Sequence, residues 1–412
     1  MAFIVKKFGG SSVATPAKIM AVARRVLEDT AADDRVVVVV SAMGDTTDEL
    51  IALAKAVTGN PHGREMDMLL ATGEQVTVAL LAMAFTSLGR KAVSLTGFQA
   101  GIMTNGAHNK AKIAGIAPER VLRELDRGKI VIVAGFQGMT KSGDITTLGR
   151  GGSDTTAVAL AGAMKADVCE IFTDVDGVYS ADPRLVKTAR RMREITYNEM
   201  LEMARLGAVV MQPRAVEMGK RHGVPIHVRS TFIQLPGTII REGYTVEERE
   251  FIVRGVTHDT NVAKIAVLGV PDRPGVAYRI FSELAEANID VDMIVQSIRN
   301  ADKNINDIVF TIAKPDLPVA RAIVDKLGQE MSFIGVIAEE NVAKVSVVGA
   351  GMYGSPGIAA AMFGALGEAG INIEVISTSE ISISCLISAE KVQDAVTAIH
   401  NRFFREDDDS NL

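Results

Sequence analysis

The segment Lys7-Phe8-Gly9-Gly10-Ser11-Ser12 lies between an apolar run and a helical pattern that opens with Thr15 as cap and Pro16 in its first turn. Glycines let backbone N–H groups approach a polyphosphate closely. A lysine at a strand end supplies the positive charge that a phosphoryl group needs as it moves between oxygens. Glycine pairs also serve as plain tight turns, so the segment alone leaves both readings open. It lacks the Gly-Lys-Ser/Thr ending of a P-loop and the glycine spacing of a dinucleotide fingerprint.

A second segment, Thr147-Leu148-Gly149-Arg150-Gly151-Gly152-Ser153-Asp154-Thr155-Thr156, crowds glycines, an arginine, a serine and an aspartate at the start of another helical pattern. Arg150 can clamp a carboxylate through two parallel hydrogen bonds, while Asp154 reads either as a plain helix cap or as an organiser of reacting groups. A third, Thr173-Asp174-Val175-Asp176-Gly177-Val178-Tyr179 with Asp182-Pro183-Arg184 after it, sits just beyond a strand-like run, at the edge where α/β sheets bind ligands. It is either a turn rich in Asp and Gly or a nucleotide site, with Asp174 near base and ribose and Arg184 near phosphate. Ser41-Ala42-Met43-Gly44-Asp45-Thr46-Thr47 follows five valines, and Ala71-Thr72-Gly73-Glu74 offers a carboxylate. Hydroxyls and a carboxylate there suit a substrate with an ammonium and carboxylates, and surface capping accounts for them as well.

Positioning these segments requires an α/β unit. From residue 1 to about 240 short β-branched runs alternate with helical patterns, which predicts a largely parallel sheet. The expected strands are Ile4–Phe8, Val36–Val40, Ala92–Leu95, Ile130–Ala134, Val168–Thr173 and Pro225–Val228, with helices such as Ala17–Asp29 and Thr155–Met164 between them. A strand as apolar as Val36–Val40 belongs inside a sheet covered on both faces.

The length of 412 residues predicts two or three domains, and 48% hydrophobic with 23% charged residues fits a soluble globular protein. A net charge of -6 with no basic block argues against a nucleic-acid partner. Cys169 and Cys385 lack the spacing of a metal or redox pair and read as buried thiols in a reducing cytoplasm. The N-terminus reads as a first strand and not a signal peptide, no uninterrupted apolar run approaches the roughly 18 residues of a membrane span, and the acidic end Arg405–Asp409 reads as a frayed tail.

After a polar stretch near Arg241–Glu250 an internal repeat begins. Asn261–Gly269 recurs as Asn341–Gly349, Pro274-Gly275 as Pro356-Gly357, and Ile289–Ile294 as Ile371–Ile376. Each copy reads as a βαββαβ unit of the ferredoxin-like order.

Taken in order, KFGGSS, SAMGDTT, ATGE, TTLGRGGSDTT and FTDVDGVYSADPR resemble the aspartate kinases of the amino-acid kinase superfamily, and the tandem repeat resembles ACT domains, small modules that bind amino acids and regulate the enzymes carrying them. The resemblance implies an α/β amino-acid kinase fold over 1–245, an open and largely parallel sheet with helices on both faces, followed by ferredoxin-like ACT units over 260–338 and 340–405. The strand near 250–257 is a candidate to complete the second unit.

The resemblance also implies transfer of a phosphoryl group from ATP, accompanied by Mg2+ held mainly through the phosphates, to L-aspartate. That reaction opens the lysine, threonine and methionine pathway, with lysine, threonine or both as effectors and a cytoplasmic homo-oligomer paired through its ACT units. In these terms Lys7 stabilises the transferring group and Asp154 positions it. Phe8, Gly9, Gly10 and Ser12 shape the phosphate cradle, with Thr173, Asp174, Tyr179, Asp182 and Arg184 on the nucleotide. Ser41, Thr47, Glu74, Arg150, Gly151, Gly152 and Ser153 meet aspartate, and no protein-held metal is implied. An effector is expected between the loop carrying Asp272, Pro274, Gly275, Val276 and Ala277 and the predicted Asn288–Ile294 strand carrying Asp292, together with Gln296, with Asn372, Ile373 and Ser379 as counterparts in the second copy. One departure stands out: where many aspartate kinases read Gly-Ala-Lys-Val, this chain reads Gly207-Ala208-Val209-Val210. The competing readings are a glutamate or acetylglutamate kinase and a catalytically silent amino-acid sensor.

Overall fold

The computed structural model describes residues 1–243, 252–300, 305–352 and 354–404. The expected acidic tail, Tyr353 of the second Pro-Gly loop and most of the polar stretch before the repeat lie outside the described residues.

The strand Phe3–Phe8 organises the N-terminal unit. Because side chains alternate along a strand, Val5 and Lys7 face one layer while Lys6 and Phe8 face the other. The strand lies parallel between Arg35–Val40 and Val168–Thr173, with Lys7 opposite Val39 on one side and Ile171 on the other. The whole sheet has 8 strands, in the order Glu194–Thr196, Thr238–Arg241, Ile226–Ser230, Val168–Thr173, Phe3–Phe8, Arg35–Val40, Ile130–Ala134 and Ala92–Leu95. Only Ile226–Ser230 and Thr238–Arg241 pair antiparallel. Helices Pro16–Glu28 and Thr72–Ser87 pack on the face of Phe8, Val38 and Phe172, while Gly152–Met164 and Pro213–His222 pack on the face of Val5, Val39 and Ile171. Covering both faces explains the run of valines, since neither side of that strand meets water. A separate 4-stranded sheet, Ile113–Ile116, Ile102–Thr104, Gln137–Met139 and Ile145–Thr147, leads into the Arg150 segment.

One helical stretch, Arg64–Ser87, is long and apolar enough by composition to cross a membrane, and polar residues such as Glu74 interrupt its apolar runs. Half of its most apolar window is buried inside the protein, with Leu81 and Phe85 at 0% exposure in the core.

The first repeat forms the sheet Val291–Asn300, Ile305–Ala313, Val262–Pro271, Gly335–Glu339, with helices Val276–Glu286 and Leu317–Met331. In the second, the sheet order is Gly255–Asp259, Val342–Val348, Ser382–Ser388, Val375–Thr378, with helices Ile358–Glu368 and Val392–Phe403. Its closing strand therefore comes from before the first repeat: Gly255–Asp259 runs antiparallel to Val342–Val348, His258 opposite Val345. Two expected strands shift. The one predicted from Asn288 starts at Val291, because Asn288 takes a left-handed turn (φ 58) beyond the preceding helix, a conformation asparagine tolerates. Asn372 likewise precedes its strand, which begins at Val375. Cys169 and Cys385 are buried free thiols, and burial pushes Cys385 up to about 12.

Candidate active site

Parallel strands bring the loops at their C-terminal ends to one edge of the sheet. Gly9-Gly10 after Phe8, Ser41–Gly44 after Val40, Gly135-Phe136 after Ala134 and Asp174 after Thr173 share that edge. The first two interlock. Gly44 N donates to Gly10 O at 3.1 Å, and a Cβ at Gly10 would stand 2.9 Å from Ala42 O, so only glycine fits there.

Lys7 shares the face covered by the helix Gly152–Met164, and Asp154 lies in that helix's first turn. Its Oδ1 is 2.6 Å from Lys7 Nζ, with side-chain exposures of 13% and 11%. The capping role left open for Asp154 falls away: the N-cap is Gly151, left-handed at φ 65, and no side chain caps the helix. Any Cβ at Gly151 would collide with Gln212 Cγ at 1.9 Å, so the helix start is pressed against the segment that follows Val209. Lys7 Nζ also lies 3.5 Å from where a Gly9 Cβ would be, which sets an ammonium inside the glycine loop. Lys6 points the other way, 1% exposed, and pairs with Glu170. Burial would raise Glu170, yet His227, Lys6 and Arg229 together hold it down to about 2.

Glu74 is 3% exposed in the first turn of Thr72–Ser87. Its Oε1 accepts from Ala42 N at 3.1 Å, which ties it to the Ser41 loop, while Oε2 is buried with no partner. Burial raises its carboxyl to about 7, against the opposing pull of its own N–H and that of Ala42. A buried carboxylate oxygen without a donor is a receptor for one. Ser41 and Thr47 lie half-buried nearby in sequence, Thr47 in the first turn of Thr46–Val57, and Arg150 is exposed immediately before the Gly151 cap. Ser153 is buried one residue from Asp154.

Among the nucleotide candidates, Thr173 Oγ1 donates to Asp174 Oδ1 at 3.0 Å at the end of the strand beside Phe3–Phe8. The Tyr179 hydroxyl donates to Asp176 at 2.9 Å; burial, then Asp176, raises the phenol. Arg184 is 86% exposed and grips Asp182 through Nε and Nη2, a bond that lowers the Asp182 carboxyl. Two expected cradle residues turn elsewhere. Phe8 stacks on Phe172 at 4.5 Å in the core, so only its backbone reaches the site, and Ser12 Oγ pairs with Thr231 Oγ1 at 2.7 Å. Val209 is 88% exposed.

In the first repeat Gly275 caps the helix at φ 95, Asp272, Pro274 and Ala277 beside it in the chain are exposed, and Gln296 is exposed on the strand Val291–Asn300. Val276 does not join them, because as the first apolar residue of an amphipathic helix it packs into the core at 4% exposure. The Asp292 carboxylate pairs with Lys344 of the second repeat, which engages the charge expected to meet an effector. In the second repeat Ile373 packs against the core, and Ser379 donates to Glu202 of the catalytic unit at 3.2 Å.

Several residues of the site are silent in sequence. Phe136 is left-handed at φ 67, and its carbonyl accepts from Leu148 N at 2.8 Å. Gln137 Nε2 donates to Ala71 O at 2.8 Å, bracing the bend before Glu74. Asp67, fully buried, gathers Asn109, His108 and Thr147 around itself. Only the odd placement of Asp in the apolar run Met66–Leu70 hints at it.

Residues 2–230 match the amino acid kinase family, and residues 264–330 and 345–403 each match an ACT domain. The chain is 50% identical over 411 residues to an aspartokinase of Mycolicibacterium smegmatis, covering 99% of this chain and 98% of the relative. It is 48% identical over 407 residues to the aspartokinase of Corynebacterium glutamicum, covering 98% and 96%. Among solved structures, E. coli aspartokinase III in complex with aspartate and ADP aligns with a TM-score of 0.81 at 26% identity, over 98% of this chain and 100% of that one. The same enzyme with lysine and aspartate gives 0.78 over 98% and 99%, also at 26% identity. Fold, site and matches together define an ATP-dependent kinase of the amino acid kinase class with paired regulatory ACT units. Within that class the chain belongs to the aspartokinases, allosterically regulated kinases of aspartate.

Proposed function

We propose that the Lys7–Asp154 pair and the loops around it carry out phosphoryl transfer from ATP to the β-carboxylate of L-aspartate, giving 4-phospho-L-aspartate and ADP. The observation that carries this reading is the buried 2.6 Å contact between Lys7 Nζ and Asp154 inside the glycine loop. The acceptor carboxylate has a reference pKa of about 4, so it is ionised at neutral pH and needs no general base. One of its oxygens attacks the γ-phosphorus as the bond from that phosphorus to the β-bridging oxygen breaks. The difficulty is bringing an anion up to an anion. Lys7, Arg150 and the N-terminus of Gly152–Met164 offset that repulsion, and Asp154 keeps the Lys7 ammonium in place as charge shifts to the leaving oxygen.

Arg150 takes a carboxylate of aspartate, and Glu74 Oε2 takes its ammonium, with Ser41 and Thr47 supplying hydroxyls. Among the described residues no group of three or more His, Cys, Asp or Glu could hold a metal ion. Magnesium would enter with the nucleotide and supply charge neutralisation at its phosphates.

The effector is lysine, threonine or the two together, received at the helix N-terminus that follows Gly275, with Asp272 and Gln296 contributing polar groups. The E. coli relative crystallised with lysine and aspartate supports an amino-acid effector. A cytoplasmic homo-oligomer paired through the ACT units completes the reading.

The test is an ADP-release assay with aspartate, glutamate and N-acetylglutamate, with lysine and threonine added singly and together. Turnover with aspartate alone, reduced by an effector, is expected. Equal turnover of glutamate would overturn the substrate assignment.

A further inference from the structure

Asp67 is a carboxylate with 0% exposure that takes no part in the chemistry described above. It lies on the helix Arg64–Leu70, directly before the Glu74 helix. Burying a carboxylate is costly unless its oxygens are satisfied, and here they are. Oδ1 accepts from Thr147 Oγ1 at 2.5 Å, from Asn109 Nδ2 at 2.8 Å and from Asn109 N at 3.1 Å, while Oδ2 pairs with His108 Nδ1 at 2.7 Å. Asn109 is left-handed at φ 64, and its Oδ1 accepts from Gly63 N at 2.9 Å.

These partners belong to the two segments that hold the Arg150 turn from below. Ala111 N donates to Thr147 O at 2.9 Å, and Arg214 spans both segments, Nη1 to Leu148 O at 2.7 Å and Nη2 to Ala111 O at 3.0 Å. Asn109 O lies 3.2 Å from where a Gly149 Cβ would stand, so the loop is pressed against the turn itself. On residues 147 and 148 these contacts take backbone carbonyls and the buried Thr147 hydroxyl, while Arg150 stays exposed.

We propose that Asp67 is a positioning residue for aspartate recognition. By drawing Thr147 and Asn109 onto one carboxylate next to the Glu74 helix, it sets the height and direction of Arg150 relative to Glu74, the groups that take opposite charges of the substrate. The inference rests on the reading of Arg150 as the carboxylate clamp. A clamp displaced by about 1 Å can cost on the order of 10²-fold in catalysis.

The test uses the full-length enzyme and near-isosteric changes. Thr147→Val removes the hydroxyl that Asp67 accepts, and Thr147→Ser keeps it; Asp67→Asn is the direct variant, and the Thr147 pair stands in for it if Asp67→Asn does not fold. Thr147→Val is expected to raise KM for aspartate about tenfold, a fraction of that limit, leaving KM for ATP within about twofold, with Thr147→Ser restoring the wild-type value. In an Arg150→Ala background Thr147→Val should add almost nothing, since both act through one group. An unchanged KM for aspartate in Thr147→Val, or the same increase with and without Arg150, overturns the positioning role while leaving Arg150 as the clamp. An Arg150→Ala enzyme with an unchanged KM for aspartate overturns the clamp itself and the proposal with it.

Discussion

The Ser180 hydroxyl and the His400 imidazole lie 2.9 Å apart, both sealed from solvent, and join the segment after the Asp174 turn to the last helix of the second ACT unit. Val256 N donates to Ser180 O at 2.7 Å, and Ala181 and Val186 pack into the same core as Val345 and Ile399. The catalytic and regulatory units thus meet over a continuous apolar seam. Burial is the main force holding His400 below its usual pKa, with Asn401 opposing and Arg190 assisting, and burial likewise lowers His258 in the same seam. The unfolded chain takes up protons at these histidines below about pH 6.5 and the folded one resists. Stability is therefore present above that pH and lost as pH falls through it. Thermal melting between about pH 8 and pH 5.5 should show this loss, reduced in His400→Gln; an identical slope in the variant would count against the seam as its source.

Glu74 titrates with the opposite sign. Its carboxyl is raised to about 7 from an ordinary 4.5, so its contribution to stability is present below about 4.5 and lost as pH rises through about 7. An ammonium arriving at Oε2 favours the charged form. Aspartate binding near pH 7 should release a proton and tighten as pH rises. Calorimetry in buffers of different ionisation enthalpy measures both, and Glu74→Gln should abolish proton release and weaken binding. Proton-neutral binding by the native enzyme would remove Glu74 from the ammonium site.

Lys7→Ala should lower kcat by on the order of 10²-fold or more, as expected for a preorganised charge, while effector binding and folding persist. Asp154→Asn should follow it, because asparagine would satisfy a helix cap but cannot hold an ammonium. Steady-state rates beside a circular dichroism melt decide this, and activity within a few-fold of native for either variant would end its assignment.

Val209, exposed beyond the close approach of Gly207 to His258 O, has room for a long side chain. Val209→Lys should lower KM for ATP or leave it unchanged with little effect on melting. Markedly weaker ATP binding would place this loop away from the phosphates.

Gln296→Ala and Asp272→Ala should relax inhibition without altering uninhibited kcat, since an effector acts only through its differential affinity for two arrangements. Inhibition curves with lysine and threonine test each variant. Unchanged inhibition in both would move the effector site elsewhere, with Ser379 and its bond to Glu202 as the next place to look.

The strands of the catalytic sheet were legible because short apolar, β-branched runs bounded by polar or glycine residues are local signals, and Ala92–Leu95, Ile130–Ala134 and Val168–Thr173 match to the residue. So was the place of the Gly9-Gly10 segment between the first strand and the Pro16 helix. What a sequence does not display is which way a side chain points once strands pair. Phe8 ends its strand and Ser12 lies in the loop expected to hold phosphate, yet one turns into the core and the other toward Thr231. The partners of Asp67 were hidden for a related reason: they lie 41, 42 and 80 positions along the chain, and the lone Asp among apolar neighbours does not say what it meets.

The strand Gly255–Asp259 is made before the first ACT unit yet completes the sheet of the second. During synthesis it must wait, unpaired, until the entire first unit and then Val342–Val348 have left the ribosome. The first unit can close on its own strands in that interval, but the second cannot, and the seam through Ser180 and His400 must wait for the helix Val392–Phe403. A fragment beginning after Asp259 would carry a second ACT unit with an open sheet edge.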